Sequence, residues 1–505
     1  MDWHELKKTM PRDGDLPDRA FEISALTKVL DNEQYDGLAH PFSRENIGET
    51  DEYISIWKRR PSVRTLLCRS VVDQSVSLVF SDDHFPKVLV DDPKTQKAID
   101  DLIRQREFST LMAEAATTGS VGSVCVMLSV LSGKPFFDVL NTAYLTPFWN
   151  PEDPDELWKI SECYKAPGSD LRASGYVIPD ADLTTSFWFE REWNTVAETW
   201  YQPRRVMADP PEPRVIDASR SVQHGLGFVP LLWALNLPGV KKPRSARRSI
   251  DGACTFAGGL DTQIRADYSM SQTGRTLDFG GSPRLVIKLP GGEENAPPGG
   301  LSGGPGKALI LGEQSDAKYL EATMSSVDKA MEYAGGLRKI QLEATHGSRA
   351  DPDKLAASQS GRAMEMLNQP LIWLASKLRK SYGDGLLLPL IRMVCRASAV
   401  VQRSEGGLII EGKRYTDLDP TGLRLVWPRW YPPTDNDMQA EANTLNTLAD
   451  AGILSAETAT MVVAANYDIP DVLAERGRVL AETQAAEARA ASMGAQVKAN
   501  ETLPP

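Results

Sequence analysis

The chain has 505 residues, too many for one hydrophobic core, so about two to four domains are expected. With 56 Lys+Arg against 68 Asp+Glu its formal net charge is -12, which excludes a protein that grips nucleic acid across its whole surface but not one that lets it slide past. The nearest two of its five cysteines, Cys125 and Cys163, are 38 residues apart; this excludes a Cys-x-x-Cys metal knuckle and a dense disulfide framework, and fits a reducing compartment.

The opening, MDWHELKKTMPRDGDLPDRAF, lacks the apolar core of a signal peptide. No stretch reaches the apolar length that a membrane span needs, so a chain neither exported nor embedded is expected. The first sixty or so residues are polar, with short helices. Val63, Leu66, Leu67, Val71 and Val72 then fit one helical stripe. FPKVLV reads as a strand, and DDPKTQKAIDDLIRQREFSTLMAEAATTG as a helix or helix pair entered through Asp-Asp-Pro and closed by Gly119. Between about 120 and 235, VGSVCVML, KPFFDVL, KISECYKA, TSFWFEREW and ETWYQPRRV are β-rich runs divided by turn signals. The first half is therefore α+β.

Near residue 240 a basic cluster (Lys241, Lys242, Arg244, Arg247, Arg248) precedes Ile250, Cys254, Ala257, Leu260, Ile264 and Tyr268, which recur every three or four residues. This predicts one amphipathic helix of about 25 residues, roughly 35–40 Å long. Gly252, Gly258 and Gly259 within it cost about 1 kcal/mol each relative to alanine and imply close neighbours or a bend. Short strands at Arg284–Leu289, Lys307–Leu311 and Lys318–Glu321 surround a Gly/Pro-rich loop, predicting a small β module. A second helix follows, with Ser325 and Asp328 as a capping box and Val327, Met331, Ala334, Leu337 and Ala344 as its stripe.

THGSRADPDKLAASQSG is rich in loop formers, and the helix after it is expected to be interrupted at Pro370 and at Gly383–Gly385. GGLIIEGKRYTDLDPTGLRLVWPRW reads as two or three strands. The stiff strap WPRWYPP, residues 427–433, has aromatic rings to bury and prolines to fix its direction. The tail from about 435 is helical, broken at Gly452 before the N-capping sequence SAET.

Motifs for catalysis fail on inspection. GGPGKA suggests a phosphate loop, but Leu301 stands at the first glycine of Gly-x-x-x-x-Gly-Lys-Ser/Thr, Ala308 replaces the hydroxyl, and a strand follows where a helix is needed. Gly300-Leu-Ser302-Gly-Gly304 matches the nucleophile-elbow pattern without its strand-to-helix setting. His4, His40, His84, His224 and His346 form no metal-ligand spacing, and Asp82-Asp83 and Asp91-Asp92 fall in turns. The basic cluster at 241–248 reads either as a solvated helix start or, since positive charge there runs against the macrodipole, as a contact for nucleic-acid phosphates or an acidic subunit.

The order of these parts resembles that of the portal proteins, the head–tail connectors, of tailed bacteriophages, over most of the chain. HGLGFVPLLWALNL (224–237) resembles the turn before their first stem helix. LNTAYLTPFWNPEDPDEL resembles the strand and loop before their central β region, and RWYPPTDNDMQAEANTLNTLADAGILSAET their approach to the crown. The resemblance implies a multidomain portal fold. Residues 1–240 would form the N-terminal part of an α+β wing, 241–278 the first stem helix, 279–322 a β clip, 323–345 the second stem helix and 346–357 a tunnel loop. The long wing helix and returning strands would occupy 358–434, and a helical crown with a frayed end 435–505.

It implies a homo-oligomeric ring of about twelve subunits at one capsid vertex, closed through a heterologous interface. The ring would be a channel for double-stranded DNA in packaging and ejection, in the virion after assembly in the bacterial cytoplasm. Its expected partners are the terminase large subunit, major capsid and scaffold proteins and a head–tail adaptor, with no enzyme activity, cofactor, metal or membrane. The candidate tunnel loop is His346, Gly347, Ser348, Arg349, Ala350, Asp351, Pro352, Asp353 and Lys354. Candidate DNA or partner contacts are Lys241, Lys242, Arg244, Arg247 and Arg248, and candidate clip-docking residues Arg284, Lys288, Glu293, Glu294 and Lys307. Two alternatives stand beside this reading. Another head–tail structural or adaptor protein would not require a β module held between two long helices, and a nucleotide-dependent packaging enzyme would need a true phosphate loop.

Overall fold

The computed structural model describes residues 1–47, 52–207, 210, 212–240, 249–280, 284–288, 316–320, 325–347, 361–431, 435–464, 474–485 and 489. The chain mixes helix and sheet, and its described strands all lie before residue 431. It divides into two units, Met1–Ala350 with Asn368–Trp430, and Asp351–Leu367 with Tyr431–Pro505.

In the first unit, α1 (Trp3–Lys7) opens on a capping box. Asp2 accepts the Glu5 amide at 2.8 Å and Glu5 accepts the Asp2 amide at 3.3 Å. After α2 (Asp18–Leu30), β1 (His40–Pro41) pairs in parallel with β4 (Arg59–Arg60), and β2 (Asn46–Ile47) pairs antiparallel with β3 (Glu52–Tyr53). The stripe from Val63 to Val72 predicts one helix, but α3 (Leu67–Phe80) begins only at Leu67. Leu66 has a left-handed φ of 51°, and the backbone just before it bonds to another helix: the Val63 amide donates to Ser271 at 2.9 Å and the Thr65 amide to Asp267 at 2.7 Å.

FPKVLV becomes β5 (Lys87–Leu89), and the next run is a helix pair, α4 (Pro93–Gln105) and α5 (Phe108–Gly119). Asp92 caps α4, accepting from the Thr95 amide at 2.9 Å and hydroxyl at 2.6 Å.

The β-rich stretch makes two antiparallel sheets. One contains β6 (Ser123–Leu131) and β7 (Lys134–Asn141). The other contains β8 (Leu145–Trp149), β9 (Leu157–Pro167), β10 (Ser186–Asn194), β11 (Ala197–Trp200), β12 (Arg204–Arg205) and β13 (Val222–Gln223), with α6 (Gly168–Ala173) between β9 and β10. Then β14 (Leu231–Leu235) returns to the first sheet, ordered β14-β6-β7. The larger sheet runs β13-β11-β10-β9-β8, with β12 also on β10. Its edge strand β8 has Pro147 in the middle, opposite Ile160. Cys125, Met127, Leu231 and Trp233 of one sheet and Leu145, Ile160 and Trp193 of the other share a core.

The predicted helix from Ile250 starts later, as α7 (Leu260–Gly280). Before it the chain is extended: Leu237 and Ala253 form an antiparallel bridge. A Cβ at Gly252 would stand 2.6 Å from the Leu237 carbonyl oxygen, so this glycine serves close backbone packing. The strands β15 (Arg284–Lys288) and β16 (Asp316–Leu320) pair antiparallel, and α8 (Ser325–Ala344) follows. The strand predicted at Lys307–Leu311 lies outside the described residues.

Beyond α9 (Gly361–Leu367), which belongs to the second unit, the first unit resumes with α10 (Gln369–Leu378), a nine-residue π-helical turn (Arg379–Leu387) and α11 (Leu388–Glu405). Pro370 lies in the first turn of α10, where its missing N–H breaks no helical bond. Gly383 and Gly385 fall within the π turn and leave the helix unbroken there, contrary to the expected interruption. The strands β17 (Leu408–Ile410) and β18 (Lys413–Tyr415) pair together, and β19 (Arg424–Val426) pairs with β5.

In the second unit, α12 (Asp435–Asp450) and α13 (Ala456–Ala464) are separated by Gly452, left-handed at φ 70°. Ser455 accepts the Thr458 amide at 3.2 Å, as SAET predicts. A further helical run spans 474–485, and none of this unit's residues whose burial is described is buried. Among the described residues no helix is long and apolar enough to cross a membrane.

Candidate functional site

The hairpin β15–β16 is inserted in sequence between α7 and α8, and the two helices lie side by side within the first unit. They run antiparallel. Gly258 and Gly259, just before α7, lie against Ala344 and Gln341 near the end of α8, and Gln341 leaves no room for a side chain at Gly259. At the other end Thr273 and Thr276 line one cleft with Val327, Ala330 and Tyr333. At 1.5 Å per residue, 21 and 20 residues make two rods of about 30 Å.

The root of α7 is held by buried polar groups. Fully buried Asp267 accepts from Tyr35 Oη at 2.8 Å and from the Thr65 amide and hydroxyl, each at 2.7 Å. Burial pushes its carboxyl above the ordinary carboxylate range, against the pull of those bonds. One turn earlier Gln263 accepts the Cys68 amide at 2.7 Å. Tyr268 donates to the Arg59 carbonyl at 2.8 Å, and its ring meets Trp57 edge-on at 4.7 Å. Arg275 pairs with Glu45.

The same helices also expose apolar surface. Leu277 is 42%, Met331 51%, Tyr333 48% and Ile340 55% exposed. Tyr333, Gly336 and Ile340 follow i, i+3, i+7 and so share a face. Gly274, Gly335 and Gly336 are mid-helix glycines whose Cβ would touch nothing within 4 Å. The cleft shared by the two helices, of about 350 Å³, is lined by Trp57, Arg265, Tyr268, Gln272 and Tyr333 among others. Among the described residues no group of three or more His, Cys, Asp or Glu is arranged to hold a metal ion.

Few of the sequence-predicted site residues fall where side chains are described. His346 and Gly347 cap α8: His346 is left-handed at φ 56° and the Gly347 amide donates to the Leu342 carbonyl at 2.9 Å, a Schellman arrangement. Ser348, Arg349, Ala350, Asp351, Pro352, Asp353 and Lys354 lie outside the described residues, as do Lys241, Lys242, Arg244, Arg247, Arg248, Glu293, Glu294 and Lys307. Arg284 and Lys288 stand at the two ends of β15, paired in register with Leu320 and Asp316.

No protein-family model and no curated protein matches the chain. Solved structures similar in outline include two of gene transfer agent particles. The virion of a native gene transfer agent particle is 11% identical, with a TM-score of 0.33 over 79% of this chain and 88% of that one. The neck of an empty gene transfer agent particle, computed with C6 symmetry, is 11% identical, with a TM-score of 0.35 over 78% of this chain and 90% of that one. At such values the likeness identifies no family.

Two groups with no sequence signal organise the first unit. Arg19 on α2 chelates Asp251 through two bonds of 2.7 Å, donates to the Thr142 carbonyl at 2.6 Å and lies over the Trp233 ring, fixing the approach to α7. Arg379 lies between the rings of Trp427 and Trp430 of the strap.

Proposed function

We propose that the chain is the portal-type subunit of a tailed-phage-like particle: a structural protein that assembles into a ring around a DNA channel and offers its hairpin end to packaging and neck partners. The observation that carries the reading is the β hairpin held between two antiparallel 30 Å helices on an α+β body. The sequence order that resembles phage portals supports it. So do Met331, Tyr333, Ile340 and Leu277, apolar on helices that the single chain leaves uncovered. In a ring, each copy's face would be covered by the next copy's different surface, the heterologous contact that closed cyclic symmetry requires.

The net charge of -12 fits a conduit. Each phosphate neutralised by a basic side chain releases counterions and tightens the grip, so a moving duplex favours few such contacts. In this reading the chain supplies the channel and the docking surface, while a terminase motor supplies hydrolysis.

The test is native mass spectrometry of the purified full chain with negative-stain class averages. A closed ring of about twelve copies with a central hole is expected, and Ile340→Lys or Tyr333→Glu should shift the population to monomers with unchanged circular dichroism. A stable two-fold dimer at all concentrations would sink the reading.

A further inference from the structure

The strap and the π turn form one device. Arg379 is the first residue of the turn; its guanidinium lies 3.3 Å from the Trp430 ring centre and 4.7 Å from that of Trp427, and it donates to the Pro428 carbonyl at 3.2 Å. Four residues on, Gly383 sits beneath Trp427, where a Cβ would stand 2.5 Å from the ring. Trp430 is held again from behind: its carbonyl accepts from His84 Nε2 at 2.9 Å, while Ser81 bonds His84 Nδ1 at 2.8 Å. The strap thus bears on the turn at its start and its centre.

The opposite side of the turn is tied to a fixed point. Ser381 donates to the Asn236 carbonyl at 2.5 Å and Tyr382 to the Asn236 side-chain oxygen at 3.0 Å. Asn236 is itself buried, and its amide donates to Ser120, Ala253 and Thr255. One wall of the turn is therefore rigid, and the other is the strap.

A π turn closes its backbone bonds five residues apart and is strained relative to an α turn; such turns are rare and recur at functional sites. Returning one residue to the α register would rotate the helix ahead of it by about 100°, the angle per residue of a 3.6-residue turn. The strap's hold on Arg379 is of a releasable kind. The contacts are ring faces and one carbonyl, and Arg379 Nε is buried without a partner among the described residues. Burial also lowers the guanidinium's pKa to about 10.

We propose that the strap 427–430 is a latch that holds residues 379–387 in the π register, and that lifting it lets the turn relax and α10 rotate. Chain connectivity gives the latch its reach. Asn368, at the head of α10, follows the second unit's Leu367, and Trp430, at the end of the strap, precedes the second unit's Tyr431. The start of α10 and the end of the strap are therefore each adjacent in sequence to the second unit.

Hydrogen exchange of the full chain, followed by mass spectrometry across sub-denaturing guanidinium, tests this. Amides of 379–388 and of Trp427, Arg429 and Trp430 should open together, with one denaturant dependence, before α5 and β6 open. Separate openings would overturn the latch. Arg379→Ala should raise exchange at least tenfold in both segments and leave α4 and α5 unchanged, and Gly383→Ala, which displaces Trp427 without touching Arg379, should do the same. Faster exchange in the strap alone would show a passive cover and overturn the proposal. If neither variant folds, the wild-type series still decides.

Discussion

Asp267 shows how much one buried side chain decides here. Its carboxylate holds Tyr35 and Thr65 at the root of α7, yet burial raises its pKa above the ordinary 3.8. A raised carboxylate means that the folded state binds the proton more tightly, so this group's contribution to stability falls as pH rises through the raised value. Asp267→Asn removes the titration. In urea melts the variant should gain on the wild type between pH 4 and pH 7, and a constant gap would show that burial does not govern the group. His346 gives a second prediction. A left-handed non-glycine residue costs about 1 kcal/mol, so His346→Gly should raise the first unit's stability by up to about that amount in the same melts, whereas Gly347→Ala, crowded by Leu342 and Val71, should lower it. Nothing in the sequence singled out Asp267, because the stripe through Ile264 and Tyr268 marks apolar positions and says nothing of a carboxylate on the same face. Arg19 was not legible, because its partners lie 104, 123 and 232 residues away and no local pattern encodes such a meeting.

At the scale of elements, reading worked where local chemistry decides and failed where a distant partner does. The α4–α5 pair, the runs of both sheets and the Gly452–Ser455 break follow from caps, alternation and turns. The start of α7 and the start of α3 do not, because Gly252 is committed to the backbone of Leu237 and Thr65 to Asp267. The π turn was expected as a break because two glycines usually mark one; packing beneath Trp427 keeps it helical. On α8, Gly335 and Gly336 face open space in the single chain, where each costs about 1 kcal/mol relative to alanine. The double variant to alanine should therefore stabilise the monomer, by about 1–2 kcal/mol in thermal melts, while weakening the proposed ring in native mass spectra. Unchanged ring stability would mean that no neighbour approaches this face.

At the scale of the whole chain, none of the second unit's residues whose burial is described is buried: Ile453 is 71%, Met461 50%, Val479 50% and Leu480 53% exposed. Isolated helices of this length are marginal in water. Amides of α12 and α13 should exchange rapidly in the dissociated chain and become at least tenfold slower in the proposed ring; equal rates would mean that assembly leaves them bare. The larger sheet carries the opposite instruction. Pro147 removes a backbone donor from the middle of edge strand β8, and the other edge, β13, is two residues long. An incoming strand finds no continuous row of donors and acceptors on either side. In the proposed function, where many copies of the chain build one particle, each has to refuse wrong encounters as firmly as it accepts the right one, and a single proline makes this sheet a poor seed for fibres and open-ended aggregates.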